Sequence, residues 1–85
     1  MPEIKVGRIT HYFAKVGVAM VEAGEGEISV GDRIHIKGNT TDHTQIIQSL
    51  QIERQPVSTL AKGQTAGLKV DVRAHEHDEV FKVVE

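Results

Sequence analysis

The chain has 85 residues, a mass of 9.3 kDa and no cysteine, which suits a single domain over 1–85 and excludes disulfides, thiolate metal sites and cysteine nucleophiles. Hydrophobic residues make up 39% and charged residues 26%, the balance of a folded domain rather than a disordered tail. Ten Lys and Arg against 12 Asp and Glu give a net charge of −2, which excludes a global field for nucleic acid and leaves only a local patch for that purpose.

A core this thin opposes a deep substrate cavity. No apolar run approaches the roughly 20 residues that cross a bilayer, and the start, Met1-Pro2-Glu3-Ile4-Lys5-Val6, lacks the apolar stretch of a secretory signal. The expectation is a chain that neither spans a membrane nor is exported, with the cytoplasm as its location.

Ile4 to Phe13 mixes β-branched and aromatic residues with polar ones and is interrupted by Gly7, which predicts a strand with a bulge. Val16 to Val21 is apolar on both parities apart from Gly17, which predicts a central strand covered on both faces. The glycine-rich run over 23–27 predicts a turn into Ile28-Ser29-Val30, and Gly31-Asp32 punctuates again. In Arg33 to Lys37, Ile34 and Ile36 share one face and Arg33, His35 and Lys37 the other, the pattern of a half-buried strand.

Gly38 to Asp42 reads as a polar loop. Thr44 to Arg54 is the longest predicted strand, with Ile46, Leu50 and Ile52 on one parity and Ile47 the exception; a helix loses to it through the β-branched content and Pro56. After the Lys62-Gly63 turn, Ala66, Leu68, Val70 and Val72 alternate with polar residues, and Val80 to Val84 closes the series. Six or seven strands, no helix and turn signals about every 10 residues indicate an all-β domain. For so small a chain we expect a closed six- or seven-stranded antiparallel barrel, because closure removes exposed edges.

The run from Val30 through Gly31, Asp32 and Arg33 to Gly38 resembles the Val-Gly-Asp signature of the second domain of translational GTPases, the elongation factor Tu type. Arg8-Ile9, Val16 to Ala19, Ile47 to Ile52, Ala61 to Gln64 and Gly67 to Val70 agree with it in order, over almost the whole chain. Through His11-Tyr12-Phe13 and Lys37 to Asp42 the chain is similar to small stand-alone elongation-factor-like proteins and to the C-terminal barrel of some collagenase-like peptidases. The resemblance implies a translation-protein barrel used for binding. One departure is His77-Asp78, which stands where that pattern often has Gly-Asp before the last strand. Another is Glu3-Ile4-Lys5, which does not reproduce the acidic residues of an aminoacyl pocket.

Gly31, Asp32 and Gly63 read as structural turn residues, Gly for φ > 0 and Asp for bonding the local backbone. There is no G-x-x-x-x-G-K-[ST] run, so the chain is expected to bind no nucleotide and to hydrolyse no GTP. His75-Glu76-His77-Asp78 carries metal-ligand residue types but lacks the spacing that makes such a site. Ser29, Ser49 and Ser58 sit in no nucleophile motif. Glu22, Glu25, Glu27 and Asp32 read as a solvated face.

No catalytic, cofactor or metal residue is therefore assigned, and the chain is expected not to be an enzyme. The candidate ligand surface is His11, Tyr12 and Lys15, extended by Arg54 and Arg73, where aromatics beside cations suit stacking on unpaired bases. The competing reading buries Phe13 in the core and leaves His11 at the surface. Two functions follow: a module contacting RNA or a ribonucleoprotein, or a protein-docking module whose partner is a collagenase-like peptidase or another enzyme.

Overall fold

A computed structural model describes residues 2–84. Ten strands and no helix make up its regular structure: β1 (Glu3–Phe13), β2 (Val18–Glu22), β3 (Ile28–Ser29), β4 (Arg33–Lys37), β5 (Asp42–Ile46), β6 (Leu50–Ile52), β7 (Gln55–Val57), β8 (Thr59–Leu60), β9 (Thr65–Lys69) and β10 (Glu79–Val83). All ladders among the described residues are antiparallel. Eight strands form one sheet in the order β5-β4-β10-β1-β2-β9-β6-β7, and β3 pairs with β8 apart from it.

The sheet turns on β1. Its first half pairs with β10 and its second half with β2, and the register slips between Lys5 and Gly7 and again between Ile9 and His11. Each bulge bends the strand and adds twist, so one long strand serves two neighbours running at different angles. Gly7 is required at the first bulge because a Cβ there would overlap the carbonyl oxygen of Glu22. The inward parity of β1, β2, β4, β9 and β10 supplies Ile9, Ala19, Val21, Ile34, Ile36, Ala66, Leu68 and Val80, all fully buried in one cluster.

The all-β, antiparallel class stands, but a closed barrel of six or seven strands does not describe the molecule. No ladder joins β5 to β7 among the described residues. The sheet curls until β5 lies beside the exit of β9, where the Gln45 side chain, rather than a ladder, spans the gap: its Nε2 donates to the Lys69 carbonyl at 3.0 Å. Strand count rises because the stretch read as one strand over 44–54 breaks in two and the short strands β7 and β8 follow it. Ile47 leaves the sheet to donate its N–H to the Asp32 carbonyl and accept from the Gly31 N–H, both at 2.9 Å. The inward set changes accordingly: Gln45 and Ile47 are buried, and Ile46 is 45% exposed.

Candidate docking surface

The second half of β1 places its aromatics by period-two alternation. Tyr12 turns inward and packs against the core. His11 and Phe13 turn outward, ring edge to ring face at 4.5 Å between centroids, and Phe13 is 45% exposed. The expectation of a buried Phe13 is thus reversed, with Tyr12 taking the core position. Nδ1 of His11 lies 3.4 Å from the Glu76 carboxylate, and Lys15 stands exposed in the turn over 14–17.

The ladders place Arg54 away from this group. Arg54 sits with Glu53 in the β6–β7 turn, both residues having positive φ. The ladders carry that turn toward the Thr65–Glu22 end of β9 and β2, whereas the 14–17 turn adjoins the Val18–Lys69 end. Arg73 is exposed in the segment after β9.

Gly31 and Gly63 have φ of 95° and 91°, and the Asp32 carboxylate accepts the Ser29 N–H at 2.9 Å while pairing with Lys82 at 3.2 Å. These groups shape turns rather than a ligand pocket.

The outer face of β4, β10 and β1 carries an open groove of about 800 Å³ between Lys5, Arg8, Lys37, Phe81 and the loop over 75–78. Its charges largely satisfy one another: Lys5 pairs with Glu79 at 2.8 Å and Arg8 with Glu22 at 3.3 Å. The hydrogen bond to Glu79 holds the Lys5 pKa above its ordinary value. Beside the groove, His35 is clasped on both ring nitrogens, Nδ1 by Glu3 at 2.9 Å and Nε2 by Asp42. The Glu3 hydrogen bond, then that of Asp42, raises the His35 pKa against a smaller cost of burial. With both nitrogens engaged by carboxylates, the ring has no free lone pair to act as a base.

Residues 75–78 are engaged structurally. Asp78 is 4% exposed, and its Oδ2 accepts the His75 N–H at 2.9 Å. Its carboxylate packs so closely on Gly38 that a Cβ there would overlap it. His75 Nδ1 lies 2.9 Å from the Thr41 hydroxyl, and β1 brackets the loop through Ile9, whose N–H donates to the Asp78 carbonyl and whose carbonyl accepts from the His77 N–H. Among the described residues no three His, Cys, Asp or Glu side chains converge on a metal position.

A second face passed unread in the sequence. Phe13 pairs with Val18 and Val18 with Lys69; His11 pairs with Met20 and Met20 with Gly67. These rows point away from the core, because Tyr12, Ala19, Val21 and Leu68 point into it. Val18 and Met20 lean over Gly67, where a Cβ would come within 3.3 Å of Val18 Cγ1 and 3.9 Å of Met20 Sδ. The two are half-buried, and Val16 beside them in the turn is 65% exposed. The double-parity apolar run over 16–21 was the available signal. It marks an interior strand correctly, but a single curled sheet offers no second layer to cover the outside.

The chain is similar to an uncharacterized protease of Methanocaldococcus jannaschii, 32% identical over 84 residues, covering 98% of this chain and 20% of that protein. It is also similar to a Porphyromonas gingivalis collagenase, 33% identical over 81 residues, covering 94% of this chain and 20% of the collagenase. It thus spans about a fifth of these relatives' length. Its fold is that of the C-terminal domain of a Geobacillus thermoleovorans protein assigned to the U32 peptidases, with a TM-score of 0.86 at 20% identity, covering 96% of this chain and 93% of that domain. No protein-family model matches the chain. These relatives overturn the elongation-factor assignment in favour of the collagenase-like likeness, and none of them points to RNA. The Val-Gly-Asp run misled because Gly31 and Asp32 answer to turn geometry, which any barrel with that turn needs. No helix of the described residues is long and apolar enough to cross a membrane.

Proposed function

We propose that this chain is a non-catalytic docking module that works with a collagenase-like peptidase. The observation that carries this reading is the match of nearly the whole chain to only 20% of a protease and of a collagenase, together with a fold shared with a peptidase's C-terminal domain. A segment that folds around its own core and recurs as a minor part of larger peptidases behaves as a module.

The polar chemistry on its surface supports a binding role. Glu3, His35 and Asp42 form a carboxylate–histidine–carboxylate group that uses both ring nitrogens on the two acids rather than on a hydroxyl nucleophile. Asp78 and His75 anchor a loop to the β4–β5 hairpin.

Calorimetry with the purified chain and a collagenase-like peptidase from the same organism tests the reading. The expected result is saturable one-to-one binding. No heat of binding at about 100 μM, a concentration that reveals even weak docking, would remove the peptidase as partner. Cleavage of gelatin by the chain alone would remove the non-catalytic part.

A further inference from the structure

We infer that the outward strip of Phe13, Val18 and Met20, capped by Val16 and flanked by Lys15 and Lys69, is the face that seats against the peptidase. Its complement there is an apolar patch edged with acidic side chains. The inference rests on the docking reading above and adds which face docks and what chemistry it meets.

Three observations converge on this face. The first is apolar exposure without cover. β2 lies inside the sheet, between β1 and β9, yet its outward residues Val18 and Met20 are apolar and only half-buried. Phe13 and Val16 next to them are 45% and 65% exposed. Contiguous exposed apolar surface on a small domain marks an interaction site more often than scattered single residues do.

The second is shape. Gly67 gives the strip a floor without a side chain, over which Val18 and Met20 already lean. Because Val18 and Met20 fill the space that a side chain at 67 would take, the strip is a low apolar surface with no ridge along β9.

The third is charge. On the β4–β10–β1 face Lys5 is met by Glu79, Arg8 by Glu22, and His35 by Glu3 and Asp42, and Lys37 alone of the groove's lysines has no ion pair among the described residues. Lys15 in the turn and Lys69 opposite Val18 have no ion-pair partner among the described residues. The strip thus has a positive edge on a chain of net charge −2. Glu76, held on His11 at the margin, repels the partner's acids and so favours their approach to the lysines. Charges at an apolar rim set orientation and association rate, and the apolar centre supplies most of the affinity.

The test places a photo-crosslinking p-benzoylphenylalanine at Val16 or, as a control three strands from β2, at Gln55, in the full chain mixed with the purified collagenase-like peptidase. The same mixture is titrated by calorimetry with Phe13→Asp and with the pair Lys15→Glu and Lys69→Glu. These side chains lie outside the core, and circular dichroism verifies that each variant is folded. The expected result is crosslinking from position 16 and not from 55, with affinity falling at least about tenfold in each variant. Docking that survives all three substitutions, or that crosslinks from 55 and not 16, overturns this face while leaving the docking function standing. Absence of binding by the unmodified chain removes the docking function itself. Crosslinking from position 16 onto added RNA in place of the peptidase overturns the inference as well.

Discussion

The side-chain amide of Gln45 faces the backbone of Asp71 as another strand would. Its Oε1 accepts the Asp71 N–H at 3.0 Å, while its Nε2 donates to the Lys69 carbonyl, also at 3.0 Å. One amide therefore supplies the donor and acceptor that a ladder would have supplied between β5 and the exit of β9. Being 8% exposed, it does so largely away from water, where losing both bonds is costly.

Gln45→Met keeps the length and most of the volume of the side chain but leaves both backbone groups without their partner. The expected loss of stability is about 1–3 kcal/mol, read from the midpoint of urea unfolding. A loss below about 0.5 kcal/mol, the scale of an ordinary surface substitution, would show that water replaces the amide there.

His35 makes stability depend on pH. Its folded-state pKa is raised by hydrogen bonds from Glu3 and Asp42, so the folded chain holds this proton more tightly than the unfolded chain. The stabilisation is fully present below the unfolded value of about 6.5 and is lost as pH rises through the raised folded value. An NMR titration of the His35 ring is expected to place its midpoint above that of an exposed histidine, and Glu3→Gln to lower it. A His35 midpoint at or below the ordinary imidazole value of about 6.5 would contradict the clasp.

His77 occupies a left-handed backbone position, φ 72°, which costs a residue with a Cβ about 1–2 kcal/mol. His77→Gly relieves that strain and gives back part of it as unfolded-state entropy, for a net gain of about 0.5–1 kcal/mol. Thermal unfolding checks the sign. If His77→Gly destabilises the fold, the imidazole makes a contact that outweighs the backbone strain.

Neighbouring aromatics should separate cleanly. Tyr12 packs on the core, and Tyr12→Ala is expected to cost about 2–4 kcal/mol as a partly buried large-to-small change. Phe13→Asp, at an outward and exposed position, is expected to change stability by less than about 0.5 kcal/mol. Equal losses at the two positions in urea unfolding would contradict the assignment of faces along β1.

Alternation alone determined much of this protein. Ile34 and Ile36 against Arg33, His35 and Lys37, and Ala66 and Leu68 against Gly67 and Lys69, fix which side of β4 and β9 is the core, because a strand sends successive side chains to opposite faces. Gly7 announced a bulge, and the two-sided apolar pattern of Val16 to Val21 announced an interior strand. The likeness to collagenase-like peptidases was also present in the sequence, beside a translation-factor likeness carried by a Gly-Asp turn common to many folds.

Tertiary structure decided what local pattern cannot hold. Ile47 leaves the sheet because Gly31 and Asp32, far away in sequence, take its backbone hydrogen bonds. That departure breaks the longest predicted strand and sends Ile46 to the surface. Which aromatic of β1 is buried depended on a register slip between Ile9 and His11. The exposed apolar strip arose because the curled sheet covers β2 on one face only. Each of these outcomes depends on pairing between distant segments, whose entropy cost and hydrogen-bond return are set by the whole fold rather than by neighbours in the chain.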